Sequence, residues 1–153
     1  MPTARDAFEV AAISQGWAVH RVRDTATFCR LVVSGTEDLL VDLALDTPPK
    51  LPAIVSMAGP TFGLEELAGR KVIALFDRAE ARDFADVYSL AQRYTKLLLL
   101  TRDAEVDGGF DLAIFADMLD TLSRFTDAEI PVRLAEINPL REFFTQWATE
   151  LRS

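Results

Sequence analysis

The chain has 153 residues, half of them hydrophobic and 26% charged, with 24 acidic against 16 basic side chains and a formal net charge of −8. This suits one soluble globular domain, or one with a small appendage, and argues against tight non-specific binding to DNA or an anionic membrane, though a local basic patch fits within it. A single cysteine, Cys29, excludes an internal disulfide and points to a reduced, cytoplasmic setting, while a single histidine, His20, excludes most His-rich metal sites and weakens any catalytic triad.

The start, "MPTARDAFEV", has no apolar signal region, and the longest aliphatic block, "KLLLL" at Lys96–Leu100, is far too short to cross a bilayer. A soluble, intracellular chain without a membrane partner is therefore expected. From Ala4 to about Ala18 the pattern predicts a helix with Phe8, Ala11, Ala12 and Gln15 near one side and Gly16 as its stop. "WAVHRV" and "TFCRLVVSG" read as strands, and the turn "SGTED" (Ser34–Asp38) leads into "LLVDLALD", which suggests an antiparallel hairpin. The prolines of "TPPKLP" break regular structure, and a short extended piece, "AIVSM", ends at Gly59-Pro60.

Beyond Gly63 the character becomes helical. Helices are expected over Leu64–Arg78, Arg82–Tyr94, about Asp111–Phe125, and from Pro139 onward, where Asn138 can cap. Asp107-Gly108-Gly109 is expected to be a loop. The outline is α+β: a β-rich part over residues 1–62, with a small mixed or antiparallel sheet, followed by a helical part over residues 63–153.

Three polar positions conflict with this pattern. On a wheel of ~100° per residue, Leu64, Leu67, Ala68, Val72, Ala74, Leu75 and Phe76 share one arc, yet Lys71 falls near its middle. Its stem can pack while the ammonium snorkels to water, or it can aim into a cleft holding an anion such as a triphosphate. In the next helix Asp83 lies inside the arc of Phe84, Val87, Tyr88, Leu90, Ala91 and Tyr94, with Asp86 on its flank. A first-turn aspartate is favoured by free N–H groups, and pairing with Arg78 or Arg82 is equally available. In the strand "LLVDLALD", period two gives Leu39, Val41, Leu43 and Leu45 one face, which should be core. Asp42 falls mid-strand on the other face, where it is either exposed surface or a carboxylate able to hold a divalent cation.

"EELAGRKVIALFDR…ARDFADVYSL" resembles the signature region of the AbiEii/AbiGii-type nucleotidyltransferase-like toxins, the MenT-like proteins among them. The likeness covers residues 16 to 125 and is most specific from Glu65 to Tyr88. It implies a nucleotidyltransferase fold and a Mg2+-dependent transfer of a nucleotidyl group from an NTP to an acceptor, tRNA in relatives, within a type IV pair that includes a cognate antitoxin. Carried over, Lys71 contacts the nucleotide phosphates and takes part in catalysis, and Asp83 is the essential acid of the Arg-Asp element. Arg82 and Asp86 support the nucleotide, and Asp42 is a metal-binding acid on the later strand.

The family also carries a glycine turn followed by Asp-x-Asp, whose acids hold two metal ions, and no Asp-x-Asp occurs in this chain. Glu37-Asp38 is wrongly spaced to replace it, and the "DAE" triplets at 103–105 and 127–129 follow no glycine turn. The chain therefore looks like a member lacking its N-terminal catalytic segment. A start assigned too late, a decayed remnant, or a truncated domain that binds without chemistry would each produce that pattern. The competing function is a non-catalytic interaction module that binds a partner protein, or a second copy, through an exposed sheet edge. For a polynucleotide acceptor, Arg21, Arg23, Arg30 and Lys50 offer a local positive face.

Overall fold

A computed structural model describes residues 2–57, 59–106 and 109–153, with side chains for all of these except 102–106. The chain divides into two units, residues 1–48 and 49–153.

The first unit holds α1 (Pro2–Ser14), β1 (Ala18–Asp24), β2 (Phe28–Ser34) and β3 (Asp38–Ala44). The strands form an antiparallel sheet in the order β1-β2-β3. The first helix ends earlier than expected, at Ser14, because Gly16 takes a φ of 80°, a left-handed conformation that helical residues cannot follow. Gly35 leaves room for a neighbouring ring. A Cβ there would stand 3.2 Å from the indole of Trp17.

The register sets Cys29 opposite Leu43, Leu31 opposite Val41 and Val33 opposite Leu39, so the inner row alternates as the sequence predicts. Cys29, Leu31 and Val33 are buried on the central strand, and burial pushes the Cys29 thiol up from its ordinary pKa. The expected core set on β3 is only partly inside. Val41 and Leu43 are half-buried, whereas Leu39 and Leu45 are 61% and 62% exposed. The helix packs chiefly along β1, which leaves β3 as an edge.

The second unit begins with a ribbon of β4 (Ile54–Ser56) and β5 (Gly59–Thr61), followed by α2 (Leu64–Asp77), α3 (Ala81–Ala91), α4 (Lys96–Val106), α5 (Leu112–Asp120) and α6 (Ile137–Leu151). Gly59-Pro60 does not end the extended piece but forms its partner strand, with Val55 opposite Pro60. The expected helix over Asp111–Phe125 is α5, capped by the Asp111 carboxylate on the N–H groups of Ala113 and Ile114, running into a 3-10 turn at Thr121–Arg124. The last helix starts at Ile137 rather than Pro139, because a 3-10 turn at Leu134–Glu136 leads straight into it and Asn138 lies inside its first turn.

The helix α4 was not foreseen. Its signal was Thr95, whose hydroxyl accepts from Leu98 N–H at 3.2 Å just before the leucine run. The loop expected at Asp107-Gly108-Gly109 lies outside the described residues apart from Gly109.

The core of this unit gathers Val72 and Leu75 of α2, Phe84 and Val87 of α3, Leu99 of α4, Phe115 of α5, and Leu140, Phe144 and Trp147 of α6. Edge-to-face aromatic pairs tie α6 to its neighbours, with ring centroids 5.1 Å apart for Phe84–Phe144 and 5.4 Å for Phe115–Trp147. The architecture is α+β, a small antiparallel sheet followed by helices. Among the described residues no helix is long and apolar enough to cross a membrane.

Candidate functional site

The α2–α3 hairpin carries most of the singled-out residues. Its two helices are joined by Arg78, Ala79 and Glu80, and Ala79 has a φ of 46°, an uncommon left-handed conformation for a residue with a Cβ. That tight reversal lays α3 back along α2. Lys71 Nζ then donates to the Asp86 carboxylate at 2.6 Å, with the side chains 31% and 42% exposed. The charge on the apolar arc of α2 thus has a carboxylate partner one helix away. Its stem packs, and its head meets both Asp86 and solvent.

Asp83 has a different environment. Its side chain is wholly buried, and Arg78 grips it twice: Nε donates to Oδ2 and Nη2 to Oδ1, each at 2.8 Å. The N–H of Glu80 adds a third bond at 3.2 Å, closing the first turn of α3. Burial alone would raise the Asp83 pKa. The Arg78 and Glu80 hydrogen bonds, with the charges of Arg78 and Arg82, outweigh it and hold the carboxyl below the ordinary aspartate range. Arg82 points outward and pairs with Glu80 at 3.0 Å.

Asp42 belongs to the first unit. Arg30, directly opposite on β2, donates to its two oxygens at 2.7 Å each. These bonds lower the Asp42 pKa and raise that of Arg30. Around it the guanidinium groups of Arg23 and Arg30 lie 5.6 and 5.7 Å from the centroid of the Phe28 ring. Arg21 turns to the other face, toward Glu9 of α1.

One residue was missed by sequence reasoning. Glu66, on the first turn of α2, is buried, and its carboxylate accepts from the N–H groups of Lys50 and Leu51 at 3.1 Å each and from Arg70 Nε at 2.9 Å. Burial would raise its pKa, but these donors together hold it below the ordinary glutamate value. Its position in the "EEL" triplet gave no signal, since two of its three partners are backbone groups about fifteen residues upstream.

Beside the hairpin, α3 and the segment Pro131–Glu136 enclose an open groove of about 720 Å³, with Asp86, Tyr88, Ser89 and Gln92 on one wall and Arg133 and Glu136 on the other. Asp86 therefore serves both the Lys71 pair and the groove. For a divalent ion the fit is poor: among the described residues no three His, Cys, Asp or Glu side chains gather, and both oxygens of Asp42 are engaged by Arg30.

Comparison with known proteins supplies the context. No curated protein is matched. Among solved structures, JHP933 from Helicobacter pylori superposes with a TM-score of 0.53 at 21% identity over 88% of this chain, and a candidate nucleotidyltransferase from H. pylori does so with the same score and coverage at 22% identity. These likenesses establish the fold. The chain spans 65% and 67% of the lengths of those two proteins. The family model described as nucleotidyl transferase AbiEii toxin, type IV toxin–antitoxin system, matches residues 27–151, which takes in β2, β3, the whole hairpin and the groove, and the chain belongs to that family.

Proposed function

We propose that the second unit binds a nucleoside triphosphate for nucleotidyl transfer, with Lys71 as the phosphate contact. The observation that carries this reading is the Lys71–Asp86 pair at 2.6 Å, half-exposed at the rim of a groove within the matched segment. A pair this open is worth only about 0.2–1 kcal/mol, so a triphosphate can displace Asp86 at small cost. The displaced carboxylate stays close enough to accept a proton or hydroxyl hydrogen bond from what is bound. Arg82, exposed at the start of α3, is the second cation for the same polyphosphate. Asp83 is the essential acid in a positional sense: it fixes the first turn of α3, and so sets Arg82 and Asp86 relative to Lys71.

Magnesium enters this reading with the triphosphate, as part of the substrate complex; no step is assigned to Asp42. The acceptor is a polynucleotide such as tRNA, for which Arg23 and Arg30 beside Phe28 offer cations and a ring. The reading further takes the protein as cytoplasmic, controlled by a cognate antitoxin protein, and able to self-associate through its sheet edge.

Calorimetry with Mg2+ and each common NTP, on the wild type and Lys71→Ala, tests the core of it. Losing a charge-assisted contact of about 1.5–3 kcal/mol predicts affinity lower by about 10- to 100-fold in the variant. Equal affinity in both proteins refutes the assignment of Lys71. The absence of Asp-x-Asp and the engaged state of Asp42 favour a second reading, in which the chain binds the nucleotide and partners without transferring anything. Saturable NTP binding with no label moved from [α-32P]NTP to tRNA distinguishes that case.

A further inference from the structure

We propose that the groove between α3 and Pro131–Glu136 receives the nucleoside half of the triphosphate, so that ribose and base lie along Asp86, Ser89 and Gln92. The inference rests on the preceding reading of Lys71 and extends it from the phosphates to the rest of the ligand.

The first argument is placement. Asp86 and Ser89 on α3 and Gln92 at its C-cap recur every three residues, and all line the groove. At 1.5 Å per residue they span about 9 Å along the helix, comparable to a ribose and base laid end to end. The stripe begins at the residue that holds Lys71, so a triphosphate anchored there has its nucleoside directed along the groove. At about 720 Å³ the space falls within the ordinary range for small-ligand sites.

The second argument is polarity. The groove lining carries two carboxylates, Asp86 and Glu136, against one cation, Arg133, which is bonded to Glu136 through Nε at 3.1 Å and Nη2 at 2.9 Å, so a phosphate is less favoured inside it than at Lys71. The acceptors Asp86 and Glu136 instead suit the hydroxyl hydrogens of a ribose. Ser89 and Gln92 each donate and accept, the capacity needed to read the edge of a base, and Gln92 Nε2 makes only a long 3.3 Å bond to the Tyr88 carbonyl. Tyr88, its ring fixed edge-on by Phe143 at 5.6 Å, and Val132 supply an apolar wall. With Lys71 at one end and carboxylate, hydroxyl and amide groups along the length, the order matches a nucleotide read from phosphate to base.

The test separates the two halves of the ligand. Wild type, Lys71→Ala and Ser89→Trp are titrated in Mg2+ with the four common NTPs, with inorganic tripolyphosphate and with the corresponding nucleosides. Ser89 is exposed, so an indole there fills the groove without entering the core. Ser89→Trp is expected to bind NTP about tenfold or more weakly while binding tripolyphosphate as the wild type does, and Lys71→Ala to bind both about 10- to 100-fold more weakly. Gln92→Ala is expected to change the order of preference among the four bases. Unchanged NTP affinity in Ser89→Trp overturns the groove assignment and leaves Lys71 standing. A wild type that binds nucleosides but neither NTP nor tripolyphosphate removes the phosphate reading and keeps the groove as a nucleoside site. Binding of none of the three by the wild type overturns both.

Discussion

Two aspartates three residues apart show how much the neighbours of a carboxylate decide. Asp86 is half-exposed and bound to one flexible lysine, so its bond is weak and exchangeable. Asp83 is wholly buried and gripped by a guanidinium and a backbone N–H, so removing it leaves Arg78 without its only described carboxylate partner and the first turn of α3 open. Replacing one partner of a buried pair costs about 3–5 kcal/mol, and because Arg78 is itself 45% exposed, Asp83→Ala should fall near the lower end. Denaturant unfolding of Asp83→Ala against Asp86→Ala measures this; equal losses would contradict the contrast drawn here. The pH dependence has a definite sign. The folded pKa of Asp83 lies below its unfolded value of about 3.9, so its contribution is complete above that pH and fades as pH falls through the folded value. Acid unfolding of the wild type should therefore steepen below about pH 4, and Asp83→Asn should flatten that limb. In the sequence Lys71 and Asp83 were both conspicuous as charges on apolar arcs, which is why they could be singled out. Their partners could not be chosen there, since Arg78 and Arg82 were equally available to Asp83 and nothing marked Asp86 as the mate of Lys71.

At the scale of elements, the α2–α3 hairpin was the most legible part of the chain, because two amphipathic patterns flank a short polar break and the 3.6-residue period is long enough to be unambiguous. The ribbon β4–β5 and the helix α4 were not, for opposite reasons. The extended piece that became β4 was read from "AIVSM", but its partner was not, because Gly59-Pro60 reads as a terminator unless its pairing with Ser56 and Val55 is known. In α4 the run of four leucines has no period at all, so only the Thr95 cap announces a helix. Glu66 is the element-scale lesson: one side chain ties the segment Lys50–Leu51 to α2, across a stretch the prolines leave without its own ladder. Removing this buried acceptor takes the partner from the N–H groups of Lys50 and Leu51, at about 1–3 kcal/mol for each one left unsatisfied. Glu66→Ala should accordingly lower the melting temperature and open new cleavage sites for a broad-specificity protease between Thr47 and Ala53. Glu66→Gln, which keeps one acceptor oxygen, should be cut more slowly than Glu66→Ala. If both variants resist proteolysis like the wild type, the clamp is not what holds this segment.

For the molecule as a whole, the sheet of the first unit poses a problem of edges. One edge, β1, is irregular: its register shifts between Arg21 and Arg23, and a kinked strand bearing arginines is a poor template for another strand. The other edge, β3, runs seven residues without bulge, proline or lysine, and Leu39, Leu40 and Leu45 on or beside it are largely exposed. Such an edge usually pairs with something. A second copy fits it by register. In an antiparallel β3–β3 pair centred on Val41, Leu39 meets Leu43 of the partner on the inner face, while Asp42 meets Leu40 and Asp38 meets Ala44 on the outer one. No two aspartates then stand directly opposite, so the pairing avoids the like-charge clash that would oppose it. The cross-strand bond of Arg30 to Asp42 persists in the pair and further shields that carboxylate. Light scattering coupled to gel filtration should find the wild type as a dimer that dissociates on dilution, and Leu40→Lys, which sets an ammonium at the centre of the edge, as a monomer at every concentration. Because Leu40 is 56% exposed in the single chain, the substitution is expected to leave the fold intact, and an unchanged circular dichroism spectrum of the variant would show that the loss is one of association. A wild type that stays monomeric up to its solubility limit would rule out self-pairing and leave β3 to a partner of another sequence, for which a backbone-donating strand with cationic side chains facing Asp38 and Asp42 is the complementary form.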